Sequence, residues 1–70
     1  MRLRDLREDK DLTQSEIAKI LSCKQNTYQQ YESGKRQISI DSLITLARFY
    51  NTSVDYILEL TDEIKPYKAK

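Results

Sequence analysis

Residues 13–36 read TQSEIAKILSCKQNTYQQYESGKR, and the fold turns on how this stretch is parsed. It resolves into two short helices joined by a tight turn. Thr13 can cap the open backbone N–H groups of the first, while Glu16, three residues on, reaches back to complete a capping box. Ile17, Ala18 and Leu21 recur at helical spacing and define one buried face. Ser22, Cys23 and Lys24 break that period, and a second helix is expected over residues 25–33. There Tyr28, Tyr31 and Glu32 share a face, while Lys24, Gln25, Asn26, Gln29, Gln30 and Ser33 occupy the others. Gly34 ends the helix, because glycine takes a left-handed conformation most easily. A short helix with amides outward and aromatic rings inward suits a DNA major groove.

The composition bounds the rest. Seventy residues make one domain, and a core this small buries only roughly 60% of the unfolded surface. One Gly, one Pro and 33% charged residues point to a helical chain. A single cysteine excludes an internal disulfide and fits a reducing, cytoplasmic setting. Cys23 itself suits a small buried position better than a reactive thiol. No apolar run is long enough for a secretory leader or a membrane span, so no membrane partner is expected. Net charge is +1. The excess of base sits in the middle of the chain, where Lys24, Lys35, Arg36 and Arg48 face only Glu32 and Asp41. By itself that bias is what any solvated face shows.

Outward from the central stretch, residues 2–10 read as a first helix with Leu3 and Leu6 inward. Arg7 follows Leu3 by one turn, so its stem leans towards the buried side and its charge wants a partner. Asp11 closes that helix where Gly or Asn would be easier, and Leu12 points inward before the Thr13 cap. Beyond Gly34, Lys35-Arg36-Gln37 forms a polar loop. Ser39 caps a fourth helix with Asp41 in its first turn. Its expected apolar face is Ile40, Leu43, Ala47 and Tyr50, with Leu46 beside them. Asn51 and Thr52 turn the chain, and Ser53 caps a fifth helix carrying Val54, Ile57 and Leu58. From Thr61 the apolar pattern thins and Pro66 forbids simple continuation. The chain is thus expected to divide into a domain over residues 1–60 and a tail over 61–70, flexible or engaged in dimerisation.

Three blocks, LTQSEIAKIL, QNTYQQYESGKR and ISIDSLITLARFYNTSVDYIL, stand in the order and spacing of a known family. The chain resembles Cro/lambda-repressor-type helix-turn-helix regulators of the XRE family over about residues 3–60. The fold implied is all-α, a compact five-helix lambda-repressor-like domain with the helix-turn-helix at helices 2 and 3. The function implied is a sequence-specific regulator, a repressor that binds double-stranded DNA as a homodimer on a palindromic operator. By position, the resemblance puts Gln25, Asn26 and Gln30 on base edges, with Lys24 and Gln29 as further contributors. It puts Gln14, Thr27, Lys35 and Arg36 on the DNA backbone. It pairs Arg7 with Glu32 as a structural ion pair. Dimer contacts are expected from the fifth helix and tail, at Ile57, Leu60, Ile64 and Tyr67. The sequence departs from the family pattern at Ser22, in the inter-helix turn, at Lys24, which forfeits a helix cap, and at Asp11.

Elementary chemistry points the same way. An Asn or Gln amide offers one donor and one acceptor, matching adenine N6 and N7, and a good bidentate pair is worth about 1–3 kcal/mol of discrimination. Lysine and arginine add salt-dependent backbone affinity. The blander reading of the four amides is a solvated helix face, although Glu, Lys and Ala are better helix formers for that purpose. Tyr28 and Tyr31 could stack on bases, but they lie opposite the amides and suit the core. With no histidine, one cysteine and one glycine, the chain offers no histidine-based triad, no Cys/His metal site and no glycine-rich phosphate loop. It is not expected to be an enzyme or to hold a cofactor. The rival is a protein-interaction module or antitoxin subunit whose main role is to bind a partner protein.

Overall fold

The computed structural model describes residues 1–66. Five helices follow in order: α1 (Leu3–Asp9), α2 (Gln14–Ile20), α3 (Gln25–Ser33), α4 (Ile40–Phe49) and α5 (Val54–Ile57). Among the described residues there is no strand, so the fold is all-α, as the sequence implies. α2 packs on α3, and α4 on α5. One core joins them, with Leu3, Ile17, Tyr28, Leu46 and Ile57 completely enclosed. Each aliphatic residue buried in this way contributes about 1.5–3 kcal/mol relative to exposure.

The helix starts follow the cap residues. Thr13 Oγ1 accepts from the Glu16 N–H at 3.1 Å while the Thr13 N–H donates to Glu16 Oε1 at 2.9 Å, a complete capping box. Ser39 and Ser53 cap α4 and α5 through the N–H groups of Ser42 and Tyr56, at 3.1 and 3.0 Å. Before each cap stands a residue that turns into the core, with a fully or nearly buried one five positions on. Leu12 stands before Ile17, Ile38 before Leu43 and Thr52 before Ile57. The first two pairs have the placing of a hydrophobic staple, which fixes the direction in which the chain enters a helix; Thr52 holds the same position with a polar side chain. Ile38 lies beyond the polar loop, and the sequence reading had no core position for it.

The helix ends share a second device. After α1, α2, α4 and α5 the chain turns through Asp11, Ser22, Asn51 and Glu59, with φ of 55°, 56°, 54° and 64°. In each case paired N–H groups close back on the last turn. Leu12 and Asp11 donate to Arg7 and Glu8, Cys23 and Ser22 to Ala18 and Lys19, Thr52 and Asn51 to Ala47 and Arg48, and Leu60 and Glu59 to Asp55 and Tyr56. That is the Schellman pattern, made four times without glycine. Only α3 ends on a glycine, Gly34 at φ 82°.

Two expectations need correction. Ile40 is 67% exposed. It is the first residue of α4, and Leu43, Leu46, Ala47 and Tyr50 alone set the inward face. Ile57, expected at a dimer interface, has no exposed surface, because the short α5 turns it wholly into the core. Within residues 61–66, Thr61, Asp62 and Ile64 are tied to the body. Arg2 Nη1 donates to the carbonyls of Tyr56 and Thr61 at 2.6 and 2.8 Å, Nη2 reaches Asp62 Oδ1 at 3.0 Å, and the guanidinium lies 4.1 Å from the centre of the Tyr56 ring. Thr52 Oγ1 donates to the Ile64 carbonyl. Tyr67, also expected at the interface, lies outside the described residues.

Candidate nucleic-acid interface

α3 is built to show one face and bury another. Tyr28 is enclosed, Tyr31 and Glu32 are half-buried, and Lys24, Gln25, Asn26, Gln29 and Ser33 are exposed. Tyr28 and Tyr31 meet edge to face with ring centres 6.4 Å apart, so these rings belong to the packing. Thr27 and Gln30 sit half-buried at the opposite margin of the face. Lys24 occupies the cap position without a side-chain hydrogen bond, and the first turn holds no acidic residue. The helix N-terminus therefore presents its N–H groups and partial positive charge uncovered.

The one carboxylate of α3 is turned away from that face. Arg7 Nε donates to Glu32 Oε2 at 2.7 Å and Arg7 Nη2 to Oε1 at 3.2 Å, a bidentate pair with side-chain exposures of 14% and 6%. Arg7 Nη1 also donates to the Leu12 carbonyl at 2.9 Å. A third donor, Gln14 Nε2, reaches Glu32 Oε1 at 3.2 Å. One buried carboxylate thus ties together α1, the α1–α2 turn, the first residue of α2 and α3. Burial alone would push its pKa up, but Arg7, the Tyr28 hydroxyl and Gln14 outweigh it and hold Glu32 below the ordinary carboxylate range. The Arg7 guanidinium is held correspondingly high, first by its hydrogen bond to Glu32.

Two buried hydroxyls flank this centre. Tyr28 and Tyr50 have no partner in hydrogen-bonding geometry, so the Tyr28 contact with Glu32 is a weak one. Burial raises both phenols, with the Glu32 charge adding to it; Tyr50 is pushed up to about 12.

Gln14, Gln25, Asn26 and Gln29 line a cleft between the start of α2 and the exposed face of α3. A second cleft, of about 260 Å³, adjoins it and is lined by Arg4, Arg7, Gln14, Gln29, Glu32 and Ser33. Gln14 and Gln29 belong to both. The structure therefore brings Gln14 together with three of the residues expected on base edges. Gln30, Lys35 and Arg36 line neither cleft. Lys35 and Arg36 are exposed in the turn after α3, and the Arg36 N–H returns to the Gln30 carbonyl at 3.2 Å. Arg4 escaped the sequence reading. Its position three residues before Arg7, hence on a neighbouring strip of α1, was the available signal.

Comparison with known proteins fits this geometry. The sequence pattern of the family described as "Helix-turn-helix" matches residues 3–57. Over 65 residues the chain is 42% identical to "Uncharacterized HTH-type transcriptional regulator YobD" of Bacillus subtilis, covering 93% of this chain and 58% of that protein. It is 36% identical over 53 residues to "Cryptic phage CTXphi transcriptional repressor RstR" of Vibrio cholerae, covering 76% and 48%. It is 37% identical over 57 residues to "HTH-type transcriptional regulator ImmR" of Bacillus subtilis, covering 81% and 45%. The chain spans about half the length of these curated relatives. No solved structure gives a significant match. With five helices in this order, the α2–turn–α3 unit at their centre and the family pattern running through all of them, the chain belongs to the XRE-type helix-turn-helix family.

Proposed function

We propose that this chain is a sequence-specific regulator of transcription that binds double-stranded DNA and acts as a repressor. α3 enters the major groove, with Gln25, Asn26, Gln29 and Gln30 on base edges and Lys24 at the groove wall or on guanine O6 and N7. Gln14, Thr27, Lys35 and Arg36 hold the backbone, setting the register in which the amides read sequence. Two copies bind half-sites about one helical turn apart on a palindromic operator.

The observation that carries this reading is the sorting of charge on α3. Its single carboxylate is locked inward by Arg7 and Gln14, which leaves a face of amides with an uncapped, acid-free N-terminus. A phosphate backbone meets no repulsion from that helix. The names of the relatives, two transcriptional regulators and a repressor, support the same reading.

Selection of bound sequences from a random duplex pool tests it, with wild type and Gln30→Ala run in parallel. A two-fold symmetric motif in the wild type is expected, with one symmetric position relaxed in the variant. Absence of any enrichment at low salt would turn the assignment to a protein-binding module.

A further inference from the structure

We propose that Arg4 is a further phosphate-binding residue, held in reserve by Glu8 until DNA arrives; the inference rests on the DNA-binding reading above. In the cleft it shares with Arg7, Gln14, Gln29, Glu32 and Ser33, the charges of Arg7 and Glu32 cancel in their bidentate pair. What is left over is the positive charge of Arg4. Its side chain is 71% exposed and its guanidinium is engaged through Nε with Glu8 Oε2 at 3.2 Å, one helical turn away. Exposed pairs at this spacing are weak and screened by salt. A phosphate can outcompete such a carboxylate, because guanidinium and phosphate match in a bidentate fork.

Continuity of the surface selects phosphate as the ligand. Gln14 and Gln29 line this cleft and also the one that holds Gln25 and Asn26. A DNA strand that flanks α3 and touches Gln14 runs on along the same furrow to Arg4. Glu8 then has two effects in the free protein. It occupies the guanidinium, and it sets a negative charge near the strand's path.

The test uses a fluorescently labelled duplex of mixed sequence, long enough for two half-sites, titrated across a salt series with wild type, Arg4→Gln, Glu8→Gln and the double variant. Arg4→Gln should weaken binding about tenfold at the lowest salt and reduce the salt slope by about 0.9 for each protomer bound. Its thermal unfolding should match wild type, since Arg4 is exposed. Glu8→Gln should tighten binding several-fold, and that gain should shrink in the Arg4→Gln background, where only the repulsion between Glu8 and the strand is left to relieve. Wild-type slope and affinity in Arg4→Gln would overturn the proposal while leaving DNA binding intact. An equal gain from Glu8→Gln in both backgrounds would overturn the reserve role of Glu8. Wild type that shows no salt-dependent binding would overturn the proposal together with the DNA reading beneath it.

Discussion

Ser22 stands in the helix-turn-helix turn at φ 56°, where a side chain is strained by roughly 1–2 kcal/mol and glycine is not. The fold accepts this because the Ser22 and Cys23 N–H groups both find carbonyls on α2. Ser22→Gly should therefore stabilise the chain by about 1 kcal/mol, the relief of strain exceeding glycine's extra entropy cost. Chemical denaturation would measure it as a rise in midpoint at unchanged slope. Titration gives a second prediction at this scale. Glu32 is held below its ordinary value of 4.5, so its stabilisation is complete above that value and fades as pH falls through the lower folded one. Tyr28 and Tyr50 are held above 10, so the fold favours their neutral forms. That contribution is complete below pH 10 and lost as pH rises past it. Tyr50→Phe removes a buried hydroxyl that has no partner and should be neutral or stabilising at pH 7. Followed by thermal melts against pH, it should lessen the alkaline loss, Tyr28 keeping its share, and leave the acid limb alone.

Most of the elements were legible because their signals are local. Thr13, Ser39 and Ser53 mark helix starts through bonds that span three residues, and such bonds depend on little else. Ile40 misled because the first residue of a helix can satisfy the apolar period without lying over the core. Ile38 was missed because one apolar residue after Lys35-Arg36-Gln37 has no period of its own. Arg7 advertised an unmet need, while the identity of its partner, 25 positions away, came from family resemblance. Gln14's bond to the same carboxylate was not visible at all, since nothing in the sequence says that an amide expected on the DNA backbone also serves an internal ion pair. The pair has a direct consequence at this scale. Glu32→Ala leaves the Arg7 charge half-buried and alone, and should cost about 3 kcal/mol. Glu32→Gln, which keeps an acceptor for Gln14, should cost less. Comparing their DNA affinities at a temperature where both stay folded would show how far Gln14 depends on this anchor.

At the scale of the whole molecule the chain closes on itself through Arg2, which holds the carbonyls of Tyr56 and Thr61 and the Asp62 carboxylate. Sequence could not reveal this strap, because it joins residues more than fifty positions apart and uses backbone acceptors that any residue supplies. Its effect is to hold Thr61 and Asp62 against the body, with Leu60 72% and Ile64 47% exposed. In the homodimer proposed above, these two side chains are the remaining described candidates for the contact between copies, Ile57 being enclosed. Leu60→Asp and Ile64→Asp together should leave the helical content and melting temperature close to wild type, since neither residue belongs to the core. Sedimentation should then shift from two protomers towards one. Affinity for a palindromic duplex should fall by about 10² as the linkage between half-sites is lost, while the salt dependence of a single protomer on its half-site persists. Ile57→Asp supplies the contrast. A carboxylate in a fully enclosed site has no partner, so this variant should unfold rather than dissociate. A double Leu60/Ile64 variant that still sediments as a dimer would move the interface elsewhere, first to the exposed Ile40 and Ile44 of α4.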